Sequence, residues 1–167
     1  IGGGDWAEDR IVPDIVRAFA AGRAIQLRQP AAVRPWQHVL EPLRGYLMLA
    51  ERLATEPEAA PTAINLGPEP TSLVTVAALA ESLARKLGAD AAWEAMPGDH
   101  PPEAATLTLD SGLAHRSLGW RPALSVEDTI AWTADWYRAW RDGAAARGLC
   151  LDQIRRYEAL CARGSAS

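Results

Sequence analysis

The sequence predicts an α/β protein that is mostly helical, with a few short strands and no complete Rossmann sheet. Three observations support this fold class. Several long segments repeat apolar residues three or four positions apart, which is the spacing of a buried helix face. The strand-like segments are only four to six residues long, and no run of repeated βαβ units connects them. Of the 167 residues, 49% are apolar, enough for one folded core.

The first elements are a helix and a short strand. Pro13 suits the first turn of a helix that runs to about Ala21, and Gly22 ends that helix. The elements that follow are, in order, a strand over Ala24–Leu27, a loop over Gln29–Pro35 and a helix over Gln37–Leu53.

The helix predicted over Gln37–Leu53 has the clearest periodicity of the chain. We therefore expect one of its faces to lie in the core. The residues of that face are Val39, Leu43, Tyr46, Leu47, Ala50 and Leu53.

The middle of the chain follows a linker, T-E-P-E-A-A-P, and alternates short strands with helices. Ser72 is predicted to cap a helix over Leu73–Leu87, which Gly88 closes. Asp110 is predicted to cap a short helix that ends at Gly119. Strands are predicted over Ala63–Leu66, Ala91–Met96 and Ala105–Leu109.

Two helices are predicted in the last third of the chain. Ser125 and Asp128 form a capping box in its acidic form, so a helix begins after Ser125 and runs to about Arg141. The final helix is predicted over Leu151–Arg163. The face of the first of these helices is formed by Val126, Ile130, Thr133, Tyr137 and Trp140.

Composition and spacing exclude several classes of function. The net charge of -4 argues against a general nucleic-acid-binding protein. No cysteine or histidine spacing is typical of a metal site, and no apolar run is long enough to span a membrane. Cys150 and Cys161 are too far apart on one helix for a disulfide, so we expect reduced thiols in a cytoplasmic protein.

The opening residues I-G-G-G-D-W-A formally fit a dinucleotide-binding fingerprint. Such a cradle needs a buried strand before the glycines and a helix that begins inside the motif. Here only Ile1 precedes the glycines, and the helix begins near Val12. The sequence therefore favours a turn over an NAD cradle.

Two arginines are candidates for binding an anion. Arg10 precedes a helix start, and Arg34 is held in extended geometry by the proline that follows it, close to the next helix start. A guanidinium group beside a helix N-terminus offers positive charge and hydrogen-bond donors together. For a single arginine, a solvated surface group or a partner for Glu41 is the alternative.

The remaining candidates favour packing over chemistry. We interpret His38 as a satisfied residue at a helix start, and we expect His100 and His115 to be exposed. No local Ser-His-Asp set and no pair of carboxylates at an acid/base spacing occurs. A tryptophan series at helical spacing indicates packing: Trp132, Trp136 and Trp140.

Three segments carry a resemblance to a known family. They are I-G-G-G-D-W-A-E-D-R-I-V-P-D, then R-P-W-Q-H-V-L-E-P-L-R-G-Y, and L-G-W-R-P followed by W-Y-R-A-W. Together they resemble the C-terminal part of the CDP-glucose 4,6-dehydratases, a family of the extended short-chain dehydrogenase/reductase group of nucleotide-sugar enzymes. The similarity covers nearly the whole chain.

The resemblance implies that residues 1–167 form a C-terminal sugar-nucleotide-binding domain. An N-terminal Rossmann domain, absent from this chain, would hold NAD and a catalytic Tyr-x-x-x-Lys. Ser82 stands four residues before Lys86, the only lysine, so that motif is missing here. The implied reaction converts CDP-glucose by oxidation at C4, loss of water across C5–C6 and return of hydride to C6, in deoxysugar synthesis for structures such as lipopolysaccharide O-antigen.

The resemblance also implies partners. The full-length enzyme would be a cytoplasmic homodimer or tetramer, and the domain absent here would cover an apolar face of this chain. The chain alone would be inactive, and it would hold no cofactor, no metal and no catalytic residue of its own.

The substrate-binding residues implied by the resemblance lie in three segments. Arg10 would contact the nucleotide, Arg34 the diphosphate, and Asn65 would lie near the diphosphate. The short edge strand beside the base would be formed by Ala24, Ile25 and Gln26.

The sequence departs from the family pattern in places. Ala105 and Thr106 stand where polar and aromatic side chains are usual, Gln29 replaces asparagine, and Arg44 replaces serine. Two alternatives therefore stay open: a dehydratase or epimerase domain for another nucleotide sugar, and a non-catalytic module that binds a nucleotide or a partner.

Overall fold

A computed structural model describes residues 1–70, 73–88, 92–98 and 104–164. Within these residues the chain is mostly helical with short strands, which confirms the predicted fold class. The helices are α1 (Ile11–Ala20), α2 (Leu40–Thr55), α3 (Val76–Leu87), α4 (Gly112–Leu118), α5 (Val126–Arg141) and α6 (Ala146–Gly164), with a 3₁₀ turn over Pro57–Ala59. The strands are β1 (Ile25–Leu27), β2 (Val33–Arg34), β3 (Val74–Thr75) and β4 (Trp93–Ala95).

The strands form two separate pairs. β1 and β4 are parallel, with Ile25 opposite Trp93. β2 and β3 are antiparallel, with Arg34 opposite Val74. Neither pair is a Rossmann sheet, as the sequence predicts.

The core lies where α3 packs between α1 and α5. Leu79 and Leu83 of α3 are fully buried, as are Ile15 of α1 and Ala134 of α5. Leu27 of β1 joins the same cluster. This core fixes β1 and the start of α1, the two elements that border the candidate site.

The capping residues define several helix ends as predicted. The Ser125 hydroxyl accepts a hydrogen bond from the Asp128 N–H (3.0 Å), so Ser125 caps the helix as predicted. The Asp128 carboxylate accepts from the Ser125 hydroxyl (2.6 Å) and not from the backbone N–H that a full capping box uses. Gly88 closes α3 with a φ of 84°, in the left-handed region that glycine adopts without strain. With Ser125 as its cap and Arg141 as its last residue, α5 has the predicted start and end.

Four helix starts differ from prediction. α2 begins at Leu40, three residues after the predicted Gln37. α3 begins at Val76, with the Thr75 hydroxyl accepting the Ala78 N–H (3.1 Å), because Val74 is already paired in a strand; Ser72 lies outside the described residues. α4 begins after Ser111, although the Asp110 carboxylate still accepts the Gly112 N–H (2.8 Å). α6 begins at Ala146, before the predicted Leu151: the Leu149 N–H already donates to the Ala145 carbonyl (3.2 Å), and the poor helix former Gly148 lies inside the first turn.

The predicted strands are less regular in the structure. The loop predicted over Gln29–Pro35 contains β2, and the predicted strand Ala105–Leu109 is reduced to one bridge between Thr106 and Val33. Ala63–Leu66 is wrong as a strand, since no described strand pairs with it. The physical reason is that a strand exists only where a second strand accepts its backbone hydrogen bonds.

The predicted core face of α2 is also wrong. The residues predicted to be buried are solvent-exposed, up to 73% for Leu47 and 60% for Tyr46. The buried positions of α2 are Glu41 and Gly45. We refer to the exposed apolar residues as the α2 stripe: Val39, Leu43, Tyr46, Leu47 and Leu53.

Glu41 explains why α2 faces this way. Its carboxylate is fully buried and accepts hydrogen bonds from the backbone N–H groups of Ala123 (2.9 Å) and Leu124 (2.8 Å). The Tyr157 hydroxyl donates a third (2.6 Å), and the Trp120 indole N–H donates to the Glu41 carbonyl (3.1 Å). A buried carboxylate needs such partners, so α2 must turn Glu41 inward and its apolar stripe outward.

No helix among the described residues has the length and apolar content needed to cross a bilayer. Within the same residues, no three histidine, cysteine or carboxylate side chains come together as a metal site. Cys150 and Cys161 form no disulfide, as predicted.

Tyr157→Phe is expected to destabilise the chain. The substitution removes the hydroxyl that donates to the buried Glu41 carboxylate, and hydrogen bonds to charged groups contribute roughly 1.5–3 kcal/mol. The matched control is Tyr46→Phe, because Tyr46 is 60% exposed. Urea denaturation measures both free energies of unfolding. Equal values for the two variants would contradict the role given to Glu41.

Candidate functional site

Arg10 and Arg34, the two arginines singled out from the sequence, line one cavity of about 310 Å³. Gln26, another predicted site residue, lines the same cavity. The walls come from the loop before α1, from β1 and the residues after it, and from β2. Residues 24 positions apart in the sequence thus face one common space.

Arg10 is placed by the start of α1. It is the N-cap residue, with an extended backbone (φ −112°, ψ 130°), and its carbonyl accepts the first helical hydrogen bond from the Asp14 N–H (3.0 Å). Its side chain is exposed and has no ion pair among the described residues. The positive end of the helix dipole therefore adds to the charge of the guanidinium group.

Arg34 is held far more tightly. Its strand β2 pairs with β3 on one side, while on the other the Val33 N–H donates to the Ala105 carbonyl (2.8 Å). The guanidinium Nη1 donates to the carbonyls of Val33 (2.9 Å) and Ala104 (2.8 Å). The side chain is therefore oriented before any ligand arrives, which lowers the entropy lost on binding.

Arg28 is a third guanidinium group of the cavity, and the sequence reasoning missed it. It pairs with the Asp9 carboxylate (Nη2 to Oδ1, 3.1 Å). Arg28 directly follows β1, and exposed Gln26 and Arg28 alternate with buried Ile25 and Leu27, so both polar side chains leave the chain on the same side.

Asp9 has a backbone conformation that is unusual for a residue other than glycine. Its φ is 58°, the only positive value of a non-glycine residue in the described part of the chain. Aspartate tolerates this region better than most residues, but the conformation still requires support from the fold. Its effect is to place a carboxylate at the cavity, next to Arg28.

The other predicted site residues lie elsewhere. Ala24 and Ile25 line a different cavity, of about 360 Å³, and Ile25 is a core residue. Asn65 is exposed and does not line the arginine cavity. The roles given to these three residues stay predictions. Gln29 does line the arginine cavity, whereas Ala105 acts through its carbonyl on Val33.

The opening glycines serve packing. A Cβ on Gly3 would collide with the indole ring of Trp136. The segment is fixed further by hydrogen bonds of Ile1, whose carbonyl accepts the Val39 N–H (2.8 Å). Gly3 and Gly4 lie in a turn, and the first helix begins only at Ile11. The interpretation of the opening glycines as a turn is therefore confirmed.

The histidines offer no catalytic acid or base at the cavity. His38 is buried, its Nδ1 accepts the Leu40 N–H (3.4 Å), and its Nε2 has no partner, so it is only partly satisfied. Burial, and then the charge of the chain's amino group, lower the pKa of His38 to about 4. His115 is half-buried against Trp120, contrary to the expected exposure, and His100 lies outside the described residues.

The predicted packing role of the tryptophan series holds for two of its members. Trp132 and Trp136 are buried, while Trp140 is 43% exposed and contacts the ring of Trp6 (4.7 Å between centroids). Of the predicted face of α5, Ile130, Thr133 and Tyr137 are buried. Tyr137 and Trp140, which contact Asp5 and Trp6, hold the opening loop against α5.

The cavity can therefore bind a negatively charged group. It presents three guanidinium groups and two amides, with the carboxylates of Asp9 and Asp14 among its walls. Asp14 pairs with Arg17 of the same helix. Guanidinium groups bind phosphate oxygens through two parallel hydrogen bonds, so phosphate is the anion that suits this set best.

No protein-family model matches the chain. A curated protein does: the chain is 41% identical over 143 residues to the CDP-glucose 4,6-dehydratase of Salmonella typhimurium. The match covers 86% of this chain and 40% of that protein. The chain thus spans about two fifths of the length of the curated relative. The sequence resemblance stated above is confirmed.

Solved structures share the fold. A UDP-glucose 4-epimerase from Stenotrophomonas maltophila, with bound NAD and formylated UDP-arabinopyranose, matches with a TM-score of 0.70 at 20% identity, over 84% of this chain and 43% of that one. A dTDP-glucose 4,6-dehydratase from Bacillus anthracis, in complex with NAD, matches with a TM-score of 0.64 at 16% identity, over 84% and 42%. The NAD expected from the sequence is the cofactor named for these relatives.

Asp9→Asn is expected to strengthen binding of inorganic pyrophosphate by roughly 2- to 5-fold, because an exposed ion pair contributes up to about 1 kcal/mol and asparagine also tolerates a positive φ. Calorimetric titration at low ionic strength measures the affinity. The control is Asp152→Asn, which removes a comparable exposed pair with Arg155 on α6 (3.0 Å). An equal gain in affinity in both variants would mean that the tighter binding comes from the change in net charge and not from the position of Asp9 at the cavity.

Proposed function

We propose that this chain, which has the sequence and the fold of the C-terminal part of an extended short-chain dehydrogenase/reductase, is the substrate-binding portion of a CDP-glucose 4,6-dehydratase. The full protein would convert CDP-glucose to CDP-4-dehydro-6-deoxyglucose with NAD. The observation that supports the proposal most directly is the single cavity shared by Arg10 and Arg34.

The diphosphate of the substrate is the group that the cavity suits. It carries about two negative charges, and two guanidinium groups match it in number and in hydrogen-bond geometry. Arg34 is oriented by its backbone contacts, whereas the exposed Arg10 can adjust to the ligand. Binding energy gained at this non-reacting end of the substrate would hold the hexose in place for chemistry at another site.

The choice of cytidine rests on sequence similarity. The relative at 41% identity is named for CDP-glucose, whereas the solved structures named for UDP or dTDP sugars are similar in fold at about half that identity or less. The base-side role of Gln26 belongs to this proposal, since Gln26 is the one member of the predicted edge strand that lines the cavity.

The chemical steps belong to a part of the protein outside this chain. The carboxylates at the cavity, Asp9 and Asp14, are each paired with an arginine, so this chain would contribute binding and orientation only. We propose that an N-terminal Rossmann domain holds NAD and the catalytic residues, and that the chain alone is inactive. The homodimer or tetramer and the cytoplasmic location are parts of the same proposal that rest on the resemblance.

Two other functions remain as alternatives. A domain for another nucleotide sugar is supported by the fold shared with a UDP-glucose 4-epimerase. A non-catalytic nucleotide-binding module would use the same arginine cavity. Comparison of CDP-, UDP- and dTDP-glucose binding distinguishes the proposed function from the first alternative. Turnover of CDP-glucose in the presence of the NAD-binding part distinguishes it from the second.

Arg34→Ala is expected to weaken CDP-glucose binding by roughly 2–5 kcal/mol if the phosphate it contacts is buried. Arg34→Lys is expected to restore part of the loss, because lysine keeps the charge without the bidentate geometry. Titration followed by tryptophan fluorescence gives the dissociation constants. Arg147→Ala, an exposed arginine on α6, is the control. Unchanged affinity in a folded Arg34→Ala chain would remove the diphosphate role.

A further inference from the structure

A second cavity, of about 550 Å³, lies between α2, α6 and the loop that joins α4 to α5. We refer to it as the α2–α6 cavity. Three guanidinium groups line it, and each comes from a different one of these elements: Arg44, Arg163 and Arg121. The α2–α6 cavity shares no lining residue with the cavity of Arg10 and Arg34.

The three arginines bring positive charge to the α2–α6 cavity without a matching negative charge. Within the part of the chain that the structure describes, no aspartate or glutamate lines this cavity, and none of the three guanidinium groups forms an ion pair. Arginines elsewhere do pair with a neighbouring carboxylate, as Arg52 does with Glu56. In a chain of net charge -4, this group of cations reverses the charge locally. The cavity therefore attracts an anion.

The protein itself holds Arg44 at the cavity wall. Its Nη1 donates to the Arg121 carbonyl (3.0 Å), which connects α2 to the loop before α5. Burial raises the pKa of Tyr157, and Arg44, whose guanidinium group lies beside the Tyr157 hydroxyl, acts against that shift. Glu41, one turn earlier on α2, already accepts three hydrogen bonds from other groups. A guanidinium group has five N–H donors, so several of those on Arg44 are left for a ligand.

The end of α4 places Arg121. Gly119 ends this helix with a φ of 65°, and the next residue, Trp120, is fully buried, with its indole N–H donating to the Glu41 carbonyl (3.1 Å). Arg121 follows this anchored residue and is exposed at the cavity. Both Arg44 and Arg121 are therefore held in place before a ligand binds, which lowers the entropy lost on binding.

The size and the walls of the α2–α6 cavity indicate the class of ligand. The surface between the arginines is apolar, and it is formed by Pro122, Ala123 and Leu160. Small-molecule sites typically have volumes of about 300–1,000 Å³, and this cavity falls within that range. A nucleic acid would need an extended basic surface instead. The cavity therefore suits a small organic molecule with two or more negative charges.

We propose that the α2–α6 cavity is a second binding site, which takes a small organic anion whose phosphate or carboxylate groups pair with Arg44, Arg121 and Arg163. Guanidinium groups bind both kinds of oxygen through two parallel hydrogen bonds. The ligand connects three elements that are remote in sequence, so it stabilises the folded chain. The site is independent of the proposed function, because none of its residues lines the cavity proposed for the diphosphate.

Cys161 gives a local readout of whether the cavity is occupied. It lines the α2–α6 cavity, whereas Cys150 of the same helix is exposed and does not line it. The rates at which iodoacetamide alkylates the two thiols are measured by peptide mass spectrometry, without a ligand and with sodium pyrophosphate or sodium citrate. Sodium chloride keeps the ionic strength equal in all samples, because salt screens the charges of the cavity.

We expect pyrophosphate, citrate or both to slow the alkylation of Cys161 about 5-fold or more at saturation, because the bound anion covers the thiol, and to leave Cys150 unchanged. The stronger of the two probes identifies the preferred group, phosphate or carboxylate. Equal rates at Cys161 with and without both probes, up to about 10 mM, would overturn the proposal.

Three variants locate the bound anion. Arg44→Ser, which introduces the residue usual at this position in the family, is expected to remove the protection of Cys161. Arg85→Ser removes the same charge from an exposed position of α3 and is expected to keep the protection, as is Arg34→Ala in the other cavity. Protection that survives Arg44→Ser, or that Arg34→Ala removes, would place the anion elsewhere and would overturn the proposal.

A second measurement keeps the proposal testable if Cys161 does not react. Pyrophosphate and citrate are titrated calorimetrically into the Arg34→Ala chain, in which the other cavity has lost its oriented arginine. We expect a binding event that the further substitution Arg44→Ser removes. No binding of either probe to the Arg34→Ala chain, or equal binding after Arg44→Ser, would overturn the proposal.

Discussion

The candidate site depends on how the backbone is held at Val33 and Arg34. β2 is only two residues long, yet β3 pairs with it on one side and the segment at Ala105–Leu107 bonds to it on the other. These hydrogen bonds fix the direction in which Arg34 leaves the chain, and two more from its own guanidinium group fix where the side chain ends. Because these hydrogen bonds hold the Arg34 guanidinium group in place, it lines the same cavity as Arg10 and Arg28.

A buried carboxylate decides the rest of the arrangement. Glu41 has three hydrogen-bond donors from the segment before α5 and from α6, and these interactions set the rotation of α2. The rotation places the apolar side of α2 outside the core. The same constraint thus stabilises this chain and leaves the apolar side of α2 exposed to solvent. Burial, and then the hydrogen bond to Glu41, raise the pKa of Tyr157, so its hydroxyl stays a donor at neutral pH.

The sequence predicted best what local chemistry determines. The Ser125 cap and Gly88 defined helix ends because caps act within a few residues. The rotation of α2 could not be predicted, because periodicity identifies an apolar face but not the body that covers it. Ala63–Leu66 failed as a strand because composition identifies a segment suited to a sheet but not whether another strand lies beside it; no described strand does.

The site was predicted in part. Arg10 and Arg34 were singled out because each was predicted beside a helix start and because of the resemblance. The fold brings both residues to one cavity. Arg28 was missed because its place at the cavity depends on two features that only the structure displays. They are the alternation of exposed and buried residues through β1 and the positive φ of Asp9. Ala24 and Ile25, two other predicted site residues, line a different cavity.

The central claim is that Arg10 and Arg34 bind the same ligand group. A double-mutant cycle on CDP-glucose binding, with Arg10→Ala, Arg34→Ala and the double variant, tests it most directly. Because two groups that share a ligand are not independent, the account predicts a coupling free energy of about 1 kcal/mol or more. Additive losses, with a coupling free energy of about zero, would contradict it.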